Sequence, residues 1–443
     1  MSDILDTIMI CVCFICAVHS LNAIIKNKTA SATHFIVLVL FITCCLPVFC
    51  NYAIGYPEYK TIYWYQVFRS SMHDGTISII YDIYIALTVV ILEIYAAYYD
   101  KVRSPYVVRS NIAYKSLLQN KGLRYLAIFS PAIYIMLSGN LSYFLVYGVR
   151  SSRYATDSSI GRITSMLILL SIYAYFFEVF STPPKKGKIF CSCLYIFSIT
   201  WLQGKRFILV IIGVVFLFFY TRNGLTLRQQ RNLRKMLPIV AVGVIIFSYW
   251  YLVYVRPMSN SSIDSIYDML RVDLGRDDVI KYVIEKTIIN REQIVPYAGS
   301  TFLSTFLFFM PRAIWPTKPY PHYVYLTASI LNLPIMDIPA GTTPSWLEMS
   351  IANFGEFGFI FGPVSLLLLC MAVDRLKETT FQLIAVVLVC ALLTQNIDAY
   401  LTFVVVFVLQ LLIRKITARH KIVVLFAGKK LFSLGNYTDD DAS

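Results

Sequence analysis

The stretch Phe306-Leu-Phe-Phe-Met-Pro-Arg-Ala-Ile-Trp-Pro-Thr-Lys-Pro-Tyr-Pro-His322 decides how the rest of this chain is read. A short apolar run meets four prolines interleaved with Arg312, Lys318 and His322. Proline fixes φ and removes a backbone donor, so no helix continues through it and the cationic side chains sit on an irregular, partly rigid loop. Irregular backbone is tolerated near a membrane only where protein buries it or where it lines a wet cavity. The stretch lies within residues 256–348, the one long segment that cannot be a membrane span, and apolar runs flank it on both sides. It reads as the lid and part of the floor of a site, with the remaining chain as scaffold.

Composition supports a scaffold of membrane helices. Of 443 residues, 58% are hydrophobic and only 14% charged, against about 25% charged in a soluble domain. A net charge of +14 would suggest nucleic acid in a soluble protein. Here most Lys and Arg fall in short loops between apolar runs, which is a topology signal, and no nucleic-acid partner is expected. The ten cysteines lie in or at the ends of apolar runs. Cys11-x-Cys13-x-x-Cys16 has metal-like spacing but no companion ligands, so these residues read as small apolar filler. Residues 4–25 read as an uncleaved first span, because Asp3 and Asp6 stand where a signal peptide carries basic residues.

A span needs about 20 mainly apolar residues. By that measure candidates fall at 4–25, 33–54, 76–98, 125–147, 161–181, 189–203, 206–221, 237–255, 349–373, 379–396 and 398–413. The expected fold is an all-α polytopic membrane protein of about eleven transmembrane helices with one large outer loop. The expected division is a bundle of about eight spans over 1–255, the loop at 256–348, about three spans over 349–413, and a tail at 414–443. The loops at 26–32, 99–124, 182–188, 222–236 and 374–378, with the tail, hold well over half of the 39 Lys and Arg. The positive-inside rule then places the N-terminus and the large loop outside and the C-terminus in the cytoplasm.

Within the loop, 262–274 and 277–289 show helical apolar spacing and read as amphipathic helices, with Asp277 as N-cap of the second. Residues 301–310 are too short to span, and 323–332 suits a further short helix. Gly358-x-x-x-Gly362 reads as a close-packing motif, and Pro363 should kink its helix.

The candidate site residues are cations and carboxylates of the outer side. Arg206 follows Gly204-Lys205, Arg256 precedes Pro257, and Arg312 follows Pro311. A guanidinium never loses its charge in practice and presents a planar fork to phosphate oxygens. Arg206, Arg312, Arg256 and Lys318 are therefore candidates for a diphosphate, with Arg276 and Arg291 in reserve. The competing reading is snorkelling at the interface or pairing with carboxylates. Glu348 closes Ser345-Trp-Leu-Glu348, which matches a capping box, yet it is also a carboxylate at the membrane edge able to accept a proton. His322 is the competing base, since imidazole titrates near neutrality. Asp82 lies inside the 76–98 span, where a carboxylate lines a cavity or finds a partner. The only Asp-x-Asp lies in the acidic terminus Asp439-Asp440-Asp441, so no metal is expected in the site and no cofactor.

These residues resemble a known family. The Gly204-Lys205-Arg206 turn, Pro311-Arg312 with Trp315-Pro316-x-Lys318-Pro319, and Thr343-Pro-Ser-x-x-Glu348 with Asn353-Phe-Gly355-x-x-Gly358 look like those of Wzy-type O-antigen polymerases. The resemblance covers the whole chain in layout and about thirty residues in motif. It implies a GT-C-like, metal-independent inverting glycosyltransferase of the bacterial inner membrane. Such enzymes join oligosaccharide repeat units carried on undecaprenyl diphosphate at the periplasmic face, in some cases beside a chain-length regulator in the membrane. The related O-antigen ligase, which relies on an outward histidine, keeps His322 and His73 as candidates. A lipid-linked oligosaccharide flippase would instead favour short loops throughout and two similar halves.

Overall fold

The computed structural model describes residues 2–26, 30–60, 62–102, 120–138, 158–181, 186–203, 213–214, 217–218, 221, 225–250, 263–307, 310–338, 341–376, 379–395, 400, 404–409 and 412. Among these every regular element is helical. In chain order they are α1 (Ser2–Lys26), α2 (Thr33–Ala53), α3 (Phe68–His73), α4 (Gly75–Val102), α5 (Lys121–Leu137), α6 (Ser158–Ser181), α7 (Lys186–Gln203) and α8 (Leu227–Trp250). Then follow α9 (Ile263–Leu274), α10 (Asp277–Ile284), α11 (Ser300–Phe306), α12 (His322–Leu331), α13 (Trp346–Phe354), α14 (Gly358–Asp374) and α15 (Thr379–Thr394).

Among the described residues, four stretches are by length and composition apolar enough to cross a membrane: α1, α2, α4 and the segment Trp346–Asp374. Such stretches in an all-helical chain suit a helical membrane protein. The candidate span at 206–221 falls mostly, that at 398–413 by half, and the tail at 414–443 wholly outside the described residues.

α1, α2 and α4 pack against one another, and charged residues fasten each end. At one end Tyr52 of α2 donates to Asp6 of α1. At the other, Asp374 at the foot of α14 accepts from Ala32 N at 2.7 Å and Thr33 Oγ1 at 3.1 Å, while its carbonyl accepts from Tyr99 of α4 at 2.9 Å. The first end carries the residues of the large loop.

The segment Trp346–Asp374 does not run straight. It breaks at a 3-10 turn, Gly355–Phe357, where Gly355 adopts φ +58°. Trp346 Nε1 then donates to Ser365 Oγ at 2.9 Å. In a continuous helix residues that far apart would be separated by about 28 Å. α13 and α14 are thus the two arms of a helical hairpin. A Cβ on Gly358 would lie 2.5 Å from Ile351 Cα, so the bare glycine is what lets the arms close. Sequence periodicity expects one span at 349–373 kinked at Pro363; the chain instead reverses at Gly355, ahead of that proline.

α10 departs from expectation as well. An amphipathic loop helix should keep one face wet, yet all eight residues of α10 are buried, including Asp277, Asp278 and Lys281. Their charges find partners inside the protein. Arg271 Nη2 pairs with Asp277 Oδ2 at 2.7 Å, Tyr59 donates to Asp278 at 2.8 Å, and Lys281 Nζ donates to Ser78 Oγ at 3.0 Å. A π-turn at Phe41–Cys45 in α2 accompanies the docking, and Thr43 O in that turn accepts from Arg276 N at 2.9 Å. Arg276, not Asp277, holds the N-cap position of α10.

Candidate active site

Two loop helices begin at the residues that the sequence marks. Pro321 precedes α12 with φ −56° and ψ 150°, so His322 is its first residue. Ser345 caps α13 from an extended conformation, and the capping box forms. Glu348 Oε1 accepts from Ser345 N at 2.9 Å, which leaves Oε2 to meet His322 Nε2 at 2.8 Å. Capping and pairing are therefore served by different oxygens of one carboxylate, and the two readings of Glu348 do not compete.

The network continues through residues that no motif singled out for chemistry. His322 Nδ1 lies 3.3 Å from Thr301 Oγ1, and Asn353 Nδ2 donates to that same oxygen at 2.6 Å. Asn353 Oδ1 in turn accepts from Thr301 N at 3.2 Å. A neutral imidazole satisfies every contact in one tautomer. His322 donates from Nε2 to Glu348, and Thr301 donates to His322 Nδ1 while accepting from Asn353. Nδ1 is then the basic nitrogen of the set. A hydroxyl, an imidazole and a carboxylate stand in line, with the imidazole oriented from both sides. His322 is 2% exposed and Glu348 0%, so a reactant reaches them only when the surroundings open.

The basic stretch beside this pair is organised by its own side chains. Arg312 Nη1 donates to Lys318 O at 2.8 Å, and the guanidinium lies 4.1 Å from the centre of the Tyr320 ring. Lys318 Nζ donates to Met310 O at 3.0 Å. These contacts close the proline-rich turn that leads into His322 at α12. Arg312 is exposed, and its other N–H groups make no protein hydrogen bond among the described residues. Such a stacked fork is oriented for an external anion.

Among the described residues, the other candidates form their hydrogen bonds and ion pairs with groups other than His322 and Glu348. Arg276 is buried and donates to Thr394 O at 2.8 Å, satisfying a carbonyl at the C-terminal end of α15. Arg291 is exposed with φ +59° and pairs at 3.1 Å with Glu356 on the hairpin turn. Asp82 is buried in α4, where Lys281 of α10 and Asp6 of α1 act on it electrostatically. His73 is exposed against the Tyr56 ring. Arg206 and Arg256 lie outside the described residues.

Within the loop, burial pushes the Asp278 carboxyl up to about 6, and the neighbouring Asp277 charge acts in the same direction. Burial likewise pushes the Tyr59 phenol up, so Tyr59 remains the donor to Asp278 at neutral pH.

In the sequence Thr301 reads only as part of a run too short to span, and Asn353 as a residue of the expected 349–373 span and of the motif that carries the resemblance. Their positions, far from His322 in sequence, carry no spacing signal. None of the protein-family models, curated proteins or solved structures compared with the chain matches it.

Proposed function

We propose that this protein is a membrane-embedded glycosyltransferase that polymerises undecaprenyl-diphosphate-linked oligosaccharide repeat units into O-antigen at the periplasmic face of the inner membrane. The observation that carries this reading is the His322–Glu348 pair, 2.8 Å apart, at the end of the basic proline-rich turn. In the proposed reaction an acceptor sugar hydroxyl gives its proton to the imidazole–carboxylate pair. Its oxygen attacks the anomeric carbon of the growing chain from the face opposite the leaving group. The bond from that carbon to the diphosphate oxygen breaks, and undecaprenyl diphosphate departs with the electron pair. Arg312 and Lys318, with Arg206 and Arg256, supply positive charge where negative charge develops. The N-terminus and the 256–348 loop are assigned to the periplasm and the C-terminus to the cytoplasm, on loop charge.

A second reading, O-antigen ligase, draws on the same histidine, since an imidazole oriented by a carboxylate suits any acceptor hydroxyl. A gel of lipopolysaccharide from a strain lacking the gene separates the two. A core bearing a single repeat unit, with the ladder restored on complementation, supports the polymerase. Long polymer left on the lipid carrier supports the ligase. Unpolymerised units trapped on the cytoplasmic side would instead mean a flippase and overturn both.

A further inference from the structure

At the end of the bundle away from the large loop, α1, α2 and α4 bring together two imidazoles and a carboxylate that the proposed reaction does not use. His19 Nδ1 contacts Glu93 Oε1. His34 Nδ1 lies 3.5 Å from Glu93 Oε2, and the two imidazole centroids are 6.0 Å apart. One ligand atom from each of His19, His34 and Glu93 falls within 4.8 Å of the others. We propose that these three residues form a binding site for a zinc-like divalent cation.

Ser20 and Asp100 orient His34 so that its Nδ1 faces the Glu93 carboxylate across a gap that one proton or one metal ion bridges. Ser20 Oγ donates to Glu93 Oε2 at 2.6 Å, so its single hydrogen is not available to His34 Nδ1, which is 2.8 Å away. On the far side of the ring, His34 Nε2 faces Asp100 Oδ2 at 3.3 Å. Asp100 is itself held in place by Ser31 N at 2.7 Å. If Nε2 carries the proton toward Asp100, Nδ1 presents its lone pair toward the Glu93 carboxylate, an arrangement that a metal ion satisfies. A carboxylate behind a histidine is the usual support for a metal-bound imidazole, since it fixes the tautomer and raises ligand basicity.

The donor set points to the kind of ion. Two imidazole nitrogens with one carboxylate suit zinc and its neighbours rather than magnesium or calcium, which prefer all-oxygen shells. Zinc bonds of about 2.0–2.1 Å place tetrahedral ligand atoms roughly 3.4 Å apart, so the set closes on an ion by a shift of about an ångström. His19 can make that shift, because its side chain is 57% exposed while His34 is fully buried. The same exposure provides an entry path. Three protein ligands leave a fourth position for water. Because the ligands come from three helices, an ion here would clamp the bundle at the end away from the loop.

The test uses the full chain purified in detergent with a tag free of histidine, stripped with EDTA and titrated with cobalt(II). The expected result is one cobalt per chain with the visible absorption of a tetrahedral ion, displaced by zinc, and a higher thermal midpoint with zinc than without. His19→Ala, at an exposed position, should fold normally and lose the absorption. Asp100→Asn should weaken binding by roughly 10- to 100-fold. Absence of the absorption with no zinc retained above a detergent control would overturn the proposal. So would cobalt affinity in His19→Ala equal to that of the wild type; the three residues would then be a proton-bridged network around a charged His34.

Discussion

Trp346 Nε1 donates to Ser365 Oγ at 2.9 Å, although the two stand nineteen residues apart in one apolar stretch. That contact makes α13 and α14 a hairpin and sets Glu348 on its short arm, fully buried. The ring of Phe354 packs against that of Phe361 with centroids 4.5 Å apart, and both surround Phe302 of α11. The arm that carries Glu348 is thereby held against the helix that carries Thr301.

The hairpin can be tested directly. In a cysteine-free background, Trp346→Cys with Ser365→Cys should cross-link through a short bis-maleimide, as read by a mobility shift after cleavage at an engineered protease site between them. A continuous helix would hold the two about 28 Å apart and give no cross-link.

Gly358→Leu should disrupt the same contact. Its Cβ would fall 2.5 Å from Ile351 Cα, and backbone does not yield as a flexible side chain does. A loss of about 1–3 kcal/mol is expected, read as a lower thermal midpoint in detergent, together with loss of polymer. A midpoint equal to that of the wild type would mean that the arms are not packed this closely.

Glu348→Gln tests the pair. One amide oxygen can still accept from Ser345 N, but the amide nitrogen then faces His322 Nε2–H, donor against donor. The expected outcome is loss of polymer with a stability cost of about 1–2 kcal/mol. Loss of polymer from a protein that still inserts and keeps its midpoint would make the chemical role stronger still. Wild-type chain lengths would remove Glu348 from the reaction.

Arg312→Ala should abolish polymer without altering membrane insertion, because the side chain is exposed and its contacts are confined to the turn. Arg312→Lys keeps the charge but loses the fork and its stacking on Tyr320, so it should recover only part of the ladder. Wild-type chain lengths in both variants would exclude Arg312 from the site.

Asp278 makes stability depend on pH. Its carboxyl is pushed up to about 6 in the folded protein, against about 3.9 in the unfolded chain. Between those values the folded state holds the extra proton. Stability therefore falls as pH rises from about 4 to about 6 and stays lower above that range. Asp278→Asn should match the wild type at pH 4 and exceed it at pH 7, by about 1–3 kcal/mol. Thermal midpoints at the two values check this, and an equal effect of the substitution at both would overturn it.

The sequence by itself determined that the chain is helical and built for a membrane. Apolar runs of span length admit little else once backbone groups must be satisfied without water. It also marked where α13 begins, because the pair Ser345 and Glu348 acts through neighbours only a few residues away, and it placed α12 to within a residue. The tertiary structure alone decided the rest. An amphipathic pattern such as that of α10 records which side chains are polar, not whether Arg271, Tyr59 and Ser78 will arrive to satisfy them. Hydropathy sums over 346–374 are the same for a straight helix and for one that doubles back at Gly355. The same limit holds for His322, Glu348, Thr301 and Asn353, and for His19, His34 and Glu93. They meet only because helices distant in sequence pack together, and such meetings depend on side-chain shape across an interface rather than on any period along the chain.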